Sequence, residues 1–513
     1  MVKSGSKIDA TLGKAFRAHQ AGNLREAEQL YRRVLRARPN HTDALHLLGV
    51  LAYQAGNNDL ALEFYRKVIA FAPRASETHH NMGIVLQALG RDDEAIEAYL
   101  KALELRPGHA ETMGHLARLC EERNRLEDAA DWVARGLAAT PGDPLINLIA
   151  ARLERRDGKT EHAASRLDRL SDTPTPAPIR EKIDFELGRS RDRLGDYAKA
   201  FGHFTEANRL AARKWSAQAA DKDAYLGAID ALKSAFTPAW IEGWAPSPPG
   251  ARPAPLFMIG FPRSGTTLLE QILNSHPDIR TLEETPAFET LVREASRLPG
   301  DYPGSLAALT PDQIVHLRQV YFEALDREAG HGAGEKILVD KLPLNLVQAG
   351  PIHRIFPDAK FVLSLRHPCD VCLSCFMQDF AITSAMANFF TVEDAAILYA
   401  RAMDLWRHYA SVLPLAYHSV RYEDLVSDTE PVVRALLEFL GVDWNAAVLD
   451  HSSQARRPEM INTPSYHQVA EPIYQRSRLR WPNYAGQLAG ALEILTPDIE
   501  RFGYADGGPA AKE

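Results

Sequence analysis

Gly260-Phe261-Pro262-Arg263-Ser264-Gly265-Thr266-Thr267 is the stretch on which the reading of this chain turns. Two glycines are separated by four residues, and a hydroxyl side chain follows two places after the second. Ahead of them, residues 255–261 (Pro-Leu-Phe-Met-Ile-Gly-Phe) form a short apolar run with the length of a buried strand. Behind them, residues 267–274 (Thr-Leu-Leu-Glu-Gln-Ile-Leu-Asn) read as an amphipathic helix. A loop in that place offers free backbone N–H groups and the positive end of a helix dipole to an anion. The glycines allow tight turning and close backbone approach. Ser264, Thr266 and Thr267 add hydroxyl donors, and Arg263 adds a forked, permanent cation.

The spacing is that of a nucleotide-binding P-loop, with one difference. Thr266 stands where a lysine would reach the β- and γ-phosphates of a nucleoside triphosphate. A phosphate cradle without that lysine suits a nucleotide with a different tail.

At 513 residues the chain has room for two or more domains, each with its own core. A content of 45% hydrophobic and 25% charged residues is that of a globular protein. The net charge of −8 argues against a nucleic-acid binder. Four cysteines in this length do not form a disulfide scaffold, which points to a reducing compartment. The first seven residues lack the apolar core of a signal peptide, and no apolar run is long enough to span a bilayer. The expectation is a cytoplasmic protein with no membrane and no nucleic-acid partner.

The first half repeats itself. Gly22, Gly56, Gly90 and Gly158 fall on a 34-residue period, with Asn124 at the missing glycine. Ala27, Ala61, Ala95, Ala129 and Ala163 keep that period, as do Pro39, Pro73, Pro107 and Pro141, and Tyr31, Tyr65 and Tyr99. The glycine or asparagine suits the left-handed turn at a helix end. The alanine allows close helix packing, and the proline cannot lengthen the helix it follows. This pattern resembles tetratricopeptide repeats. Five repeats cover about residues 8 to 174, and a sixth unit at 195–200 is out of phase by three residues. The resemblance implies a solenoid whose concave face takes a protein or peptide ligand.

Residues 237–255 are crowded with prolines. Beyond them, runs at 336–340, 360–365 and 417–422 read as strands, separated by helical stretches such as 394–409. That alternation predicts a parallel α/β sheet with its ligand at the carboxyl ends of the strands. Further motifs fall there or later: Leu282-Glu283-Glu284-Thr285 after Ser275-His276-Pro277; Val339-Asp340-Lys341-Leu342-Pro343; Arg366-His367-Pro368 with Ser374 beyond; and Ser465-Tyr466-His467-Gln468-Val469, running on to Arg478, Arg480 and Trp481.

Together these motifs resemble the sulfotransferases, in particular the tyrosylprotein sulfotransferase-like group, over about residues 254 to 505. The family donor is 3′-phosphoadenosine 5′-phosphosulfate (PAPS), which has no β- or γ-phosphate for a lysine to reach. The resemblance implies that Arg263, Ser264, Gly265, Thr266 and Thr267 hold the 5′-phosphosulfate. Arg366 and Ser374 match residues holding the 3′-phosphate, and Tyr422, Ser465 and Arg480 match further donor contacts. Glu284 matches the catalytic base and Lys341 the cation stabilising the transition state and leaving group, with Arg263 sharing that work. An exchange of roles between Glu283 and Glu284 stays open. The product would be adenosine 3′,5′-bisphosphate, and no metal is implied. Two positions depart from the group: Pro286 stands where an arginine helps hold an acidic peptide, and Gln378 where a second arginine assists the 3′-phosphate.

Cys369, Cys372 and Cys375 have a spacing that invites a metal reading, but residues three apart on a helix also form one packed face. His276 and His367 are candidate bases or loop-capping histidines. The acceptor is a hydroxyl, either a peptide or protein tyrosine or a carbohydrate or small metabolite. A kinase using the loop for ATP and a non-enzymatic repeat scaffold are the competing classes, and homodimerisation is left open. The expected architecture is α followed by α/β. It comprises an all-α repeat solenoid over 8–213, a helical, proline-rich linker over 214–253, a three-layer P-loop-type sulfotransferase domain with a parallel sheet over 254–506, and a disordered tail over 507–513.

Overall fold

The computed structural model describes residues 2–170, 173–216, 221–329, 336–450 and 478–504, with side chains from residue 7 onward. Two compact units divide the chain, Met1–Leu194 and Gly195–Glu513.

The first unit is helical throughout. Helices pair as Val2–Gln20 with Leu24–Ala37, Thr42–Gln54 with Asn58–Phe71, Ser76–Ala88 with Asp92–Leu105, Ala110–Glu122 with Leu126–Ala139, and Pro144–Arg156 with Thr160–Asp168; Ala177–Arg193 follows. The turn inside each pair is left-handed: Gly22, Gly56, Gly90 and Gly158 have φ from 70° to 79°, and Asn124 has φ 56°. Asparagine is the side chain that tolerates this region best, so Asn124 replaces glycine without breaking the repeat. The periodic alanines Ala27, Ala61, Ala95, Ala129 and Ala163 are fully buried. The tyrosines fill the remaining space: a Cβ on Gly49 would lie 2.4 Å from the Tyr65 ring, and one on Gly83 would lie 2.5 Å from Tyr99.

The second unit is built on a sheet with strands β1 (Leu256–Gly260), β2 (Ile279–Glu283), β3 (Ile337–Lys341), β4 (Lys360–Leu365) and β5 (Ala416–Arg421). They lie side by side in the order β2-β3-β1-β4-β5, all parallel. Parallel strands need helical crossovers, and helices cover both faces. Alternation along the strands sorts the core. Leu256, Met258, Val339 and Val362 join the aliphatic side chains of helices Thr266–Asn274 and Thr429–Leu440. On the other face Phe257 meets Tyr321, Phe356 and Phe361 at ring-centre distances of 5.8 to 6.4 Å. Strand β2 is the one strand that the sequence runs do not name. Its pattern Ile-Arg-Thr-Leu-Glu mixes charged with apolar residues because it lies at the sheet edge.

The chain ahead of β1 is packed onto this unit. Helix Tyr197–Ser216 sets Phe201 4.9 Å from the Phe376 ring, and Asn208 Nδ2 donates to the Phe376 carbonyl at 2.8 Å. Helix Asp223–Ala235 leads to Phe236, whose ring lies 5.0 Å from that of Tyr409. The proline-rich stretch after it is pinned by buried Arg354, which donates to the Ala245 carbonyl at 3.0 Å, and by Arg318, which donates to the Pro248 carbonyl at 2.7 Å. No described helix is long and apolar enough to cross a membrane.

Candidate active site at the carboxyl ends of the strands

A parallel sheet points all its carboxyl ends to one edge, and the loop, carboxylate, lysine and arginine motifs fall on it, whereas Ser275-His276-Pro277 precedes β2. The glycine loop follows β1, Glu283 ends β2 and Glu284 follows it, Lys341 ends β3, Arg366 follows β4 and Tyr422 follows β5. Register fixes the neighbours: Glu283 is opposite Lys341, Met258 is opposite Lys341, and Gly260 is opposite Ser364.

The loop turns sharply before helix Thr266–Asn274. Arg263 has φ 69° and Gly265 φ 98°. Gly265 caps the helix start, and a Cβ there would lie 2.6 Å from the Tyr422 ring. A Cβ on Gly260 would lie 2.6 Å from the Ser364 carbonyl oxygen, so the loop base is backbone against backbone. Ser264, Thr266 and Thr267 are buried at the helix start. The Ser264 hydroxyl finds no hydrogen-bond partner among the described residues. A buried hydroxyl of that kind beside a helix N-terminus suits an anion acceptor.

Arg263 and Arg366 join the loop to β4. Arg263 Nε donates to Ser374 Oγ at 3.1 Å, and Arg366 Nη1 donates to the Arg263 carbonyl at 3.0 Å. The Arg366 guanidinium lies 4.9 Å from the Tyr422 ring centre and 3.9 Å from Asp370. Asp370 in turn accepts the Trp481 amide at 2.8 Å, which brings the Arg480 segment to the same corner. Arg263, Arg366, Ser374, Tyr422 and Arg480 therefore gather around one end of the loop; Ser465 lies outside the described residues.

At the other end stands Lys341, fully buried. Its Nζ is 3.2 Å from Glu270, 3.1 Å from Glu283 and 3.5 Å from Glu284. Burial pushes the Lys341 pKa down, and the three carboxylates more than offset this, so it ends above the usual lysine value. Glu284 differs from the other two carboxylates: its side chain is half exposed, and its backbone has φ 48°. A non-glycine residue in that region is strained and must be held by its neighbours. Asp340, the strand neighbour of Lys341, faces the other way and accepts from Tyr321 Oη at 2.7 Å and Thr285 Oγ1 at 3.4 Å.

Glu270 is the member of this cluster that the sequence reading passed over. It lies on the helix after the loop, buried, and its carboxyl is pushed up to about 7, first by burial and then by Glu283, against the pull of Lys341. The available signal was a charge flanked by the buried Leu269, Ile272 and Leu273. Both histidines are engaged by neighbouring backbone groups. His276 Nε2 donates to the Asp443 carbonyl at 2.9 Å, while its Nδ1 accepts the Asp278 amide. His367 caps helix Pro368–Phe376 and stacks on Trp481, and burial lowers its pKa to about 4. Cys369, Cys372 and Cys375 are buried on that same helix; burial raises their thiol pKa values, and Cys375 donates to the Pro262 carbonyl.

Residues 255–446 match the family model described as Sulfotransferase family, and residues 13–76 and 74–141 match models described as Tetratricopeptide repeat. An uncharacterized protein of Aquifex aeolicus (strain VF5) is 29% identical over 69% of this chain and 48% of its own length. Protein-tyrosine sulfotransferase 2 of Gallus gallus is 28% identical over 48% of this chain and 69% of its own length. Protein-tyrosine sulfotransferase of Drosophila melanogaster is 29% identical over 48% of this chain and 51% of its own length. The chain thus spans about half the length of the Aquifex and Drosophila relatives. Residues 13–141 are thus similar to tetratricopeptide repeats and residues 255–446 to the sulfotransferase family.

Proposed function

We propose that the chain is a PAPS-dependent sulfotransferase acting on an acceptor hydroxyl, with Glu284 as the base. The observation that carries this reading is the single sheet edge on which the glycine loop, the Arg263–Arg366–Ser374 group and the Lys341–Glu284 pair all stand. PAPS supplies a sulfuryl group on a good leaving phosphate. The residues fit such a molecule: an unpartnered buried Ser264 hydroxyl, a helix N-terminus, and a Gly265 whose missing Cβ lets the Tyr422 ring close against the loop. Arg263, Ser264, Thr266 and Thr267 would hold the 5′-phosphosulfate; Arg366 and Ser374 would hold the 3′-phosphate, with Tyr422 and Arg480 beside them.

Half-exposed Glu284 takes the acceptor proton as the acceptor oxygen bonds to sulfur and the sulfur–phosphate oxygen bond breaks. Lys341 and Arg263 hold positive charge where the leaving oxygen becomes negative. Lys341 also stands 3.5 Å from the Glu284 carboxylate, which ties the proposed base to the cation at the reacting end of the site.

The names of the relatives make a protein tyrosine the first acceptor to test. Against acidic-peptide recognition of the expected kind, Pro286 opens helix Ala287–Ala295 and carries no charge. Thermal denaturation tests the donor: adenosine 3′,5′-bisphosphate should stabilise the protein and MgATP should not, and the reverse result overturns the reading in favour of a kinase. Radiolabelled donor with fractionated lysate tests the acceptor: label in protein bands supports a protein hydroxyl, and label confined to glycans or small molecules excludes it.

A further inference from the structure

Among the described residues, the one grouping of His, Cys, Asp and Glu side chains with ligand atoms close enough to share an ion lies in the first unit, among the repeats. His80, Glu111 and His115 each offer one atom, and these atoms lie within 4.8 Å of one another. His80 is buried, Glu111 exposed and His115 between the two, so the trio has a buried floor and an open side.

The repeat itself shows what is special about this layer. One period earlier, the matching positions hold His46, Glu77 and Asn81, and Thr78 matches Thr112. In both layers a histidine Nδ1 meets the next threonine hydroxyl: His46 with Thr78 at 2.9 Å, and His80 with Thr112 at 2.8 Å. The difference lies at the third position. In the earlier layer Asn81 Nδ2 reaches His46 Nε2 at 3.2 Å and satisfies it. In the later layer that place is taken by His115, whose ring centre is 5.5 Å from that of His80, and whose Nδ1 is buried without a partner among the described residues. An exchange of Asn for His thus turns a closed hydrogen-bond layer into a set with two imidazoles and a carboxylate.

We propose that His80, Glu111 and His115 form a zinc site on the repeat unit, with a fourth coordination position open on the Glu111 side. Two histidines and a glutamate are a donor set that Zn²⁺ accepts, with water or a ligand group completing the tetrahedron. A ligating His80 Nε2 requires the proton on Nδ1, and Thr112 Oγ1 stands ready to accept it. Thr112 then donates its own proton to His109 Nδ1, so the tautomer is fixed through two further residues. Glu111 Oε1 already stands 3.8 Å from His80 Nε2, on the side an ion would occupy. The expectation that no metal serves sulfuryl transfer is unaffected, since the site belongs to the other unit.

The test uses the full-length chain and Zn²⁺ alone, titrated against a chromophoric chelator, with Co²⁺ absorption as a second readout of tetrahedral coordination. The expected result is Zn²⁺ uptake that falls by one equivalent per chain in His115→Asn. That variant reproduces the arrangement already present in the neighbouring layer, so its helical circular dichroism and melting should stay native. Glu111→Gln, at an exposed side chain, should keep the fold and weaken Zn²⁺ binding by at least about tenfold. The proposal is overturned if the wild type takes up no Zn²⁺, or if both variants retain the wild-type stoichiometry and affinity.

Discussion

The Glu284 amide donates to the Lys341 carbonyl at 2.7 Å, while the Lys341 ammonium stands 3.5 Å from the Glu284 carboxylate. The two residues are therefore tied twice, once by backbone and once by charge. The backbone tie holds Glu284 at φ 48°, where its side chain can leave the buried cluster and face outward.

Glu284→Gln should lower turnover by about 10²–10⁴-fold while leaving adenosine 3′,5′-bisphosphate binding intact. Initial rates with labelled PAPS, beside a thermal shift with the bisphosphate, check both halves. Glu283→Gln should cost less activity; the opposite ranking assigns the base role to Glu283.

Glu270 makes stability depend on pH. Its folded pKa is about 7 against an ordinary 4.5, so the folded state holds the proton more tightly than the unfolded chain. Stability is therefore lost as pH climbs from 4.5 through 7, by an amount on the order of 3 kcal/mol for this group. Glu270→Gln carries no such proton, so its stability relative to the wild type should rise across that window. Urea unfolding of both proteins at several pH values measures the difference, and a constant difference would sink the assignment.

The two loop glycines should fail in different ways. Gly260→Ala drives a Cβ to 2.6 Å from a backbone carbonyl, which cannot turn aside, and should destabilise the second unit by about 1–3 kcal/mol or more. Gly265→Ala strains a backbone at φ 98° and presses on the Tyr422 side chain rather than on backbone, so it should shift the loop and remove the stabilising effect of the bisphosphate as well as cost stability. Melting with and without ligand separates the two cases.

Arg366→Lys keeps the charge and loses the fork that bonds the Arg263 carbonyl. Affinity for adenosine 3′,5′-bisphosphate should fall by about tenfold or more, while that for the 5′-monophosphate should change little. Calorimetric titration of both nucleotides gives the ratio; equal losses would remove Arg366 from the 3′-phosphate.

The repeats were legible because alanine, proline, tyrosine and the turn residue each report a different physical demand at one period. The loop was legible because strand, glycines and helix stand next to each other in sequence. Glu270 was hidden because its partner Lys341 is distant in the chain, and only pairing of β1 with β3 brings them together. Strand β2 was hidden by its place at the edge, and the His80 layer by the fact that its chemistry lies in a difference between repeats.

Strand β1 pairs with β3 on one side and β4 on the other, and both lie downstream of it. During synthesis the central strand therefore leaves the ribosome with two bare edges and no partner until residues 337–341 and 360–365 have followed. Long-range parallel pairing is slow, and an apolar strand with open edges is prone to stick to other chains. For this domain the vulnerable interval in making the protein falls between β1 and β4, after the local helix pairs ahead of it have had time to form.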